Sequence, residues 1–249
     1  MKNAFGTKGS TSTGMKLRLI GHAQTRAFRC IWMLEELGLP YEHLQAMPAS
    51  KAVLEQNPSG KVPALVVSQD SSAGFPSSYV VTESAVINTF LGDRFPDSRL
   101  VPRHLSHERM QYDQLVMAIM TELDASALWI YHKHVTLGKF FGYIPETEEV
   151  SKNQFAKLND VISIQLKKSN GPFLLGAQFT AADILYGHCL DWAKANGWAD
   201  IIQSETIASY MEAYRKRPAY NRARAFRKDK TEGVIQRIPN EDPNLKSSL

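Results

Sequence analysis

The sequence predicts an α/β domain over residues 16–96 followed by an all-helical domain over residues 103–228. Two patterns predict this order: strand-like alternation and helical periodicity follow each other in the first part, whereas only helical periodicity is found after about His104. The segment Pro96–Arg103, which contains two prolines, is predicted to link the two domains.

Composition limits the class of protein. Of 249 residues, 43% are hydrophobic and 22% are charged, which is typical of a globular chain. No apolar run approaches the roughly 18 residues of a membrane-spanning helix, so no membrane partner is expected. Residues 1–15 are predicted to be a disordered extension without the apolar block of a secretory signal. With only two cysteines, no disulfide framework is expected, which favours a cytoplasmic location.

The α/β part begins with the alternating strand Lys16–Ile20 and continues with a helix that Thr25 can cap and that Gly38 and Pro40 end. The turn 57–60, Asn-Pro-Ser-Gly, then leads into a further strand, and a hairpin leads into the last helix. The predicted elements are a strand at 16–20, a helix at 25–37, a strand at 41–44, a short helix at 50–56, strands at 62–67 and 79–82, and a helix at 83–91.

The second part is predicted to contain only helices, at 107–131, 150–168, 181–195 and 207–216. Thr180 and Asp183 have the spacing of a capping box, which indicates a role in folding rather than catalysis. Residues 229–249 are polar and are expected to form a mobile tail.

Three features of this part have alternative interpretations. Segment 215–230 carries eight basic residues and one acid, which is compatible with a nucleic-acid patch. No aromatic ladder or known nucleic-acid motif accompanies it, so a solvated helix end is favoured and no nucleic acid is expected. His104 and His107 could share a helical face, but they lack further ligands, so no metal is expected. Tyr112, Val116, Met120 and Leu123 form an apolar stripe, which is typical either of a substrate cleft or of core and subunit contacts.

Four segments resemble the cytosolic glutathione transferase family. The first is the strand, loop and helix through Gly21-His-Ala-Gln-Thr-Arg-Ala-Phe-Arg29 to Tyr41, and the second is Asn57-Pro-Ser-Gly-Lys-Val-Pro-Ala-Leu65. The third is the pair Glu83-Ser84, and the fourth is the stretch from Gly171 to Asp183. They occur in the family's order between about residues 16 and 226.

This resemblance implies a thioredoxin-like N-terminal domain, a helical C-terminal domain and a homodimer. It also implies that Pro63 is cis, so that the backbone of Val62 can pair with the cysteinyl backbone of glutathione. Ser84, at a helix start, would hold the γ-glutamyl carboxylate, and Glu83 would face the ammonium group. Lys61 stands beside this loop and is either a further partner of the glutathione carboxylates or a solvated lysine.

Thr25 stands where serine-type members of the family carry the hydroxyl that activates the thiol. A free thiol titrates near pH ~8.5, so a donor is needed to form thiolate at neutrality. Threonine departs from the usual serine and adds a methyl group that restricts its rotamer. Thr25 is therefore the candidate catalytic residue or only a helix cap; His22 and Gln24 could assist.

The resemblance leaves three functions open. The first is a glutathione transferase that acts on an apolar electrophile, with glutathione as the co-substrate and a detoxifying role. The second is a non-catalytic glutathione-binding or protein-interaction module, and the third a glutathione-dependent lyase, isomerase or peroxidase. Cys30 lies five residues after Thr25, away from the helix start, which disfavours mixed-disulfide chemistry.

Overall fold

The computed structural model describes residues 14–69, 76–229 and 233–239. Residues 1–13 of the expected extension and residues 240–249 of the expected tail lie outside the described residues. Within the described ranges, no helix combines the length and the apolar character needed to cross a bilayer.

The first domain contains a five-stranded sheet. Its strands are β1 (Lys16–Ile20), β2 (Tyr41–Leu44), β3 (Ala64–Ser68), β4 (Ser78–Thr82) and β5 (Val234–Arg237). The spatial order is β4-β3-β1-β2-β5, and β1 is parallel to β2 while the other pairs are antiparallel. In β1 the apolar Leu17 and Leu19 are buried and the charged Lys16 and Arg18 face solvent, as strand alternation requires.

The α-helices are α1 (Ala27–Leu37), α2 (Lys51–Leu54), α3 (Ser84–Arg94), α4 (His107–Ala118), α5 (Gly138–Phe141), α6 (Thr147–Lys168), α7 (Ala181–Ala195), α8 (Glu205–Arg215) and α9 (Pro218–Ala225). Helix α4 continues into π-helical turns at Ile119–Trp129 and His132–Thr136. Short 3₁₀ turns occupy Pro96–Ser98, Ala199–Ile202 and Phe226–Lys228. The predicted combination of a thioredoxin-like domain with a helical domain is confirmed.

Helix α1 is the contact element between the two halves. It packs against α3 on the sheet side and against α7 and α9 of the helical domain. Its Trp32 is fully buried, and the indole ring lies 4.8 Å from the ring of Tyr220 and 5.6 Å from that of Tyr214. One apolar core therefore runs through both domains.

The chain returns to the sheet after the helical domain, where Val234–Arg237 pair with β2. The expected polar tail therefore contributes an edge strand, whose residues alternate between exposed and half-buried. The strand β5 has only four residues and little apolar alternation, so its extended conformation depends on its pairing with β2.

The capping box at the start of α7 is confirmed. The carboxylate of Asp183 accepts hydrogen bonds from the backbone N–H of Thr180 at 2.8 Å and from the hydroxyl of Thr180 at 2.9 Å. It also accepts from the backbone N–H of Leu174 and the hydroxyl of Tyr210. Burial raises the pKa of Asp183 to about 6, so the group is still ionised at neutral pH.

Candidate functional site

The loop between β1 and α1 is held in place by backbone contacts. The N–H groups of Gly21 and His22 donate to the carbonyls of Leu44 and Ala46, both at 3.0 Å. Gly21 has φ +142°, and a Cβ atom there would lie 2.8 Å from the Cβ of Ala27. Only glycine fits this close turn, which delivers the following residues to the start of α1.

Thr25 lies in this loop, half-buried, and α1 begins two residues later than the sequence predicts. Its hydroxyl donates to the carbonyl of His22 at 2.7 Å and accepts from the backbone N–H of Ala27 at 3.2 Å. The N-cap position belongs to Arg26, which makes no side-chain cap, so Thr25 satisfies a free amide of the first turn from one position earlier. The hydroxyl proton of Thr25 points back into its own loop.

Val62 lies beside the same loop. The peptide bond between Val62 and Pro63 is cis, as expected. A Cβ atom on Gly21 would lie 3.1 Å from the Cβ of Val62, so the two segments are in contact. Among the described residues, the backbone N–H and carbonyl of Val62 form no backbone hydrogen bond. Lys61 is exposed, and its carbonyl accepts from the side-chain amide of Asn57.

Glu83 and Ser84 form the start of α3. Glu83 is exposed and has φ +65°, a left-handed value that costs free energy for a residue with a side chain. Ser84 is only 1% exposed, and its hydroxyl accepts from Nη1 of Arg29 at 3.2 Å. The structure therefore connects Ser84 to α1, the helix that begins two residues after Thr25.

Arg29 and Arg26 were not identified from the sequence. Arg29 is fully buried and donates to Oδ2 of Asp124 at 2.5 Å and to Nδ1 of His188 at 3.0 Å. Arg26 donates to both carboxylate oxygens of Asp124, at 2.6 to 3.0 Å. The available indication was Arg29 within the otherwise apolar stretch 27–34, because an arginine is almost never fully buried without a partner.

The charges of Arg26 and Arg29 favour a neutral His188 and an ionised Asp124. Burial alone would raise the pKa of Asp124, but the charges and hydrogen bonds of Arg29 and Arg26 outweigh it and hold the pKa below its usual value. Burial and the arginine charges together lower the pKa of His188 well below its usual value. Arg26 also stacks between the rings of Trp129 and Trp192, at 5.0 and 5.1 Å from their centroids.

Both cysteines are buried within the core. Burial raises the pKa of Cys30 far above its usual value and that of Cys189 to about 12. Both thiols are therefore protonated at neutral pH and inaccessible. Of residues 14–69, 76–229 and 233–239, no three His, Cys, Asp or Glu are grouped so that they could hold a metal ion.

Basic residues of segment 215–230 are used largely inside the molecule. Arg215 pairs with Asp191 at 2.6 Å, Arg217 with Glu36 at 2.7 Å, and Arg222 with Glu35 at 2.8 Å. The last two pairs join α9 and the residue before it to α1. The apolar stripe is likewise internal, since Tyr112, Val116 and Leu123 belong to the core.

An open groove lies elsewhere. It has a volume of about 770 Å³ and is lined by the outer face of α4 and the residues before it, including Leu105, Met110 and Met117. None of its lining residues belongs to the loop of Thr25 or to the start of α3, so the groove is separate from the candidate site.

Known proteins resemble the chain in both sequence and fold. The sequence profile of the glutathione S-transferase N-terminal domain matches residues 25–94, and that of the glutathione S-transferase C-terminal domain matches residues 134–221. The glutathione S-transferase-like protein OpS6 of Beauveria bassiana is 32% identical over 163 residues, which cover 62% of this chain and 68% of that protein.

Solved structures show the same fold. The glutathione transferase URE2P6 from Phanerochaete chrysosporium, in complex with oxidized glutathione, has a TM-score of 0.70 at 21% identity and covers 87% of this chain and 98% of its own. A glutathione transferase family member from Pseudomonas fluorescens Pf-5, with two glutathione bound, has a TM-score of 0.68 at 20% identity and covers 86% and 94%. The matches to both domain profiles and to the fungal relative show that the chain belongs to the glutathione S-transferase family.

Proposed function

We propose that the protein is a glutathione transferase that forms the thiolate of glutathione and directs it at an apolar electrophile. The observation that carries this proposal is that three segments contact either the loop between β1 and α1 or α1 itself. Thr25 lies in the loop, Val62 of the cis-proline turn contacts it through Gly21, and Ser84 is connected to α1 through Arg29. These segments correspond to three of the four that resemble the family.

Glutathione would be bound by the backbone of Val62 and by the start of α3. The free N–H and carbonyl of Val62 fit an extended peptide backbone. The first amides of α3 and the hydroxyl of Ser84 would hold the γ-glutamyl carboxylate, since a helix N-terminus favours anions. Glu83, exposed beside Ser84, would face the ammonium group, and the exposed Lys61 would balance the second carboxylate.

Thr25 would then activate the thiol. In the free protein its hydroxyl donates to the carbonyl of His22, so it has to rotate, or share its proton, to donate to the sulfur. The thiolate is a stronger acceptor than a neutral carbonyl, which favours this exchange when glutathione is bound. With the sulfur ionised, attack on an aryl halide forms the carbon–sulfur bond and releases the halide ion.

The electrophile would bind on the helical domain next to Thr25. Trp129 and Trp192 enclose the side chain of Arg26, and the ring of Phe141 lies 6.3 Å from that of Trp129. Phe141 is 49% exposed, and its neighbours Phe140 and Tyr143 are more exposed still. Aromatic side chains that begin at Arg26, the residue after Thr25, favour an apolar substrate.

The test is the ultraviolet absorbance of the thiolate of bound glutathione at neutral pH. We expect a thiolate band in the wild type and in Thr25→Ser, and a loss of most of the band in Thr25→Val, which keeps the shape but not the hydroxyl. Turnover of an activated aryl halide should fall at least about tenfold in Thr25→Val. Equal bands in all three proteins would contradict the role of Thr25.

The inward hydrogen bond of Thr25 also favours a second candidate function, a glutathione-binding module without turnover. If the hydroxyl keeps its bond to His22, no donor from Thr25 reaches the sulfur. Tight glutathione binding with no thiolate band and no turnover of aryl halides, peroxides or isomerisable substrates would establish this function. Turnover of peroxides alone would indicate a glutathione-dependent peroxidase, and turnover of isomerisable substrates alone would indicate an isomerase.

We further propose a homodimer that buries the outer faces of α3 and α4. Val86 on α3 is 54% exposed, and Met110 and Met117 on α4 are 48% and 62% exposed around the open groove. Exposed large apolar side chains on neighbouring helices are typical of subunit contacts. Light scattering should give twice the chain mass for the wild type and the mass of one chain for Met117→Glu.

We also propose that the protein is cytoplasmic and has a detoxifying role.

A further inference from the structure

Four half-buried side chains meet where the helical domain packs on the start of α1. Arg26 is the residue after Thr25, and its guanidinium carbon lies 5.0 Å from the ring centroid of Trp129 and 5.1 Å from that of Trp192. The imidazole ring of His132 lies 5.9 Å from the ring of Trp129 and 5.5 Å from that of Trp192. All four side chains remain partly accessible to solvent. The structure therefore places one cation among three aromatic rings.

The positive charge of this cluster is only partly compensated. Asp124 pairs with Arg26 at 2.6 Å and also with Arg29 at 2.5 Å, so two guanidinium groups share one carboxylate. Burial lowers the pKa of His132 and raises that of Cys189 to about 12, so both groups are uncharged at neutral pH. One positive charge is therefore left over within these contacts.

This remaining charge reaches solvent through Arg26. The side chain of Arg29 is fully buried, whereas 26% of the Arg26 side chain is exposed. Nε and Nη2 of Arg26 donate to Asp124, and Nη1 donates to no group in the part of the chain that the structure describes. Nη1 is not one of the buried nitrogens that lack a partner there, so it faces solvent. Arg26 therefore presents a charged nitrogen beside aromatic rings.

An aromatic ring that carries a carboxylate matches both features of the cluster. A guanidinium donates charge-assisted hydrogen bonds to a carboxylate, and these are about twice as strong as hydrogen bonds between neutral groups. The ring of such a ligand can pack edge-to-face against the side chains of Trp129, Trp192 or His132. A neutral aromatic ligand would use only the rings, and a small inorganic anion would use only the guanidinium.

We propose that Arg26 is a specificity-determining residue that binds the carboxylate of an aromatic electrophile, while Trp129, Trp192 and His132 contact its ring. This inference deepens the proposed function, on which it rests for the reaction, by naming aromatic carboxylic acids as the class of second substrate. Binding of such an acid requires only the cluster itself. In the reaction, the thiol proton passes to solvent, the sulfur forms a bond to the ring carbon that carries a halogen, and the halide ion leaves with the electron pair of the broken bond.

The test compares 4-chloro-3-nitrobenzoate with its methyl ester, which has the same ring, halogen and nitro group but no charge. Binding is measured by the quenching of tryptophan fluorescence in the presence of S-methylglutathione, which has no thiol and cannot react. The wild type is compared with Arg26→Gln, Arg26→Lys and Arg18→Gln. Arg18→Gln is the matched control, since Arg18 is an exposed arginine of β1 that pairs with Glu42. Thermal unfolding of each variant confirms that it is folded.

We expect the wild type to bind the benzoate at least about tenfold more tightly than the ester. Arg26→Gln should lose this preference, while its affinity for the ester should change by less than about twofold, which a general loss of structure would not produce. Arg26→Lys, which keeps the charge, should retain part of the preference, and Arg18→Gln should retain all of it. Equal affinities of the wild type for the two compounds, or a preference that persists in Arg26→Gln, would overturn this inference.

Turnover of the same two compounds with glutathione separates this inference from the proposed function. If the ester is converted and the benzoate is neither bound nor converted in preference to it, the proposed function stands and this inference is wrong. If the benzoate binds through Arg26 but neither compound forms an S-aryl product, the binding of aromatic acids stands and the proposed transferase function is contradicted.

Discussion

Arg29 of α1 and Asp124 of the π-helical segment form an ion pair in which Nη2 and Oδ2 are 2.5 Å apart and both side chains are buried. The pair joins the two domains. Arg29 also holds Ser84, and Asp124 also holds Arg26 beside Thr25. One carboxylate of the helical domain thus fixes two points of the proposed glutathione site, so the site depends on the docking of the domains.

Asp124→Ala should destabilise the protein strongly. The change leaves Arg29 fully buried without a counter-ion, and removing one partner of a buried ion pair costs about 3–5 kcal/mol. Denaturant unfolding followed by circular dichroism measures the loss. Asp200→Ala, which breaks the exposed pair with Lys152, is the control and should leave the unfolding midpoint unchanged. Equal midpoints for the two variants would contradict a structural role of the buried pair.

Asp183→Asn should also destabilise the fold. The carboxylate of Asp183 accepts four hydrogen bonds, and an amide would turn one acceptor into a donor facing other donors. We expect a loss of about 3 kcal/mol in the free energy of unfolding, against about 1 kcal/mol for Thr180→Ala, which removes one of the four donors. A loss in Asp183→Asn no larger than that in Thr180→Ala would argue against the shared acceptor role.

Stability should fall as pH drops from 6.5 toward 4 because of His43. This side chain is fully buried and its Nε2 lies 2.9 Å from the carbonyl of Gly21, so it donates there as a neutral ring. Burial lowers its pKa from 6.5 to about 4. The unfolded chain takes up a proton in this window and the folded chain does not, so the folded state loses up to about 3 kcal/mol.

The variant His43→Gln isolates this effect, because glutamine can still donate to Gly21 but does not titrate. Its melting temperature should fall less than that of the wild type between pH 6.5 and pH 4.5. Asp183 and the other titrating groups are common to both proteins and cancel in the difference. Parallel curves for the two proteins would show that His43 is not responsible.

Glu83→Gly should separate stability from glutathione binding. Glycine adopts the φ of +65° at residue 83 without strain, which offsets its cost in the unfolded chain, so we expect stability to rise by up to about 1 kcal/mol. Loss of the carboxylate should weaken glutathione binding by about fivefold, as measured by calorimetry. Arg99→Gly, also at a left-handed residue but away from the site, should change stability alone. If glutathione binding weakens by a similar factor in Glu83→Gly and Arg99→Gly, Glu83 does not contact the ligand.

The elements that were predicted correctly from the sequence depend on local patterns. The capping box of Thr180 and Asp183 involves residues three apart, and the predicted positions of β1, β2 and α7 agree with the structure. The cis bond at Pro63 was expected from its resemblance to the family. The start of α1 was misplaced by two residues because Thr25 satisfies the first turn from outside the helix.

The order of β1 to β4 and of the long helices, the family and the capping box could be predicted from the sequence, because each depends on residues near each other in the chain. The contacts of Asp124 with Arg26 and Arg29, which are 98 and 95 positions away, and the pairing of Val234–Arg237 with β2 are seen only in the folded molecule. Such contacts join positions whose spacing has no periodicity. They form because burying the two arginines requires a counter-charge, and the packing of α1 on the helical domain brings one there.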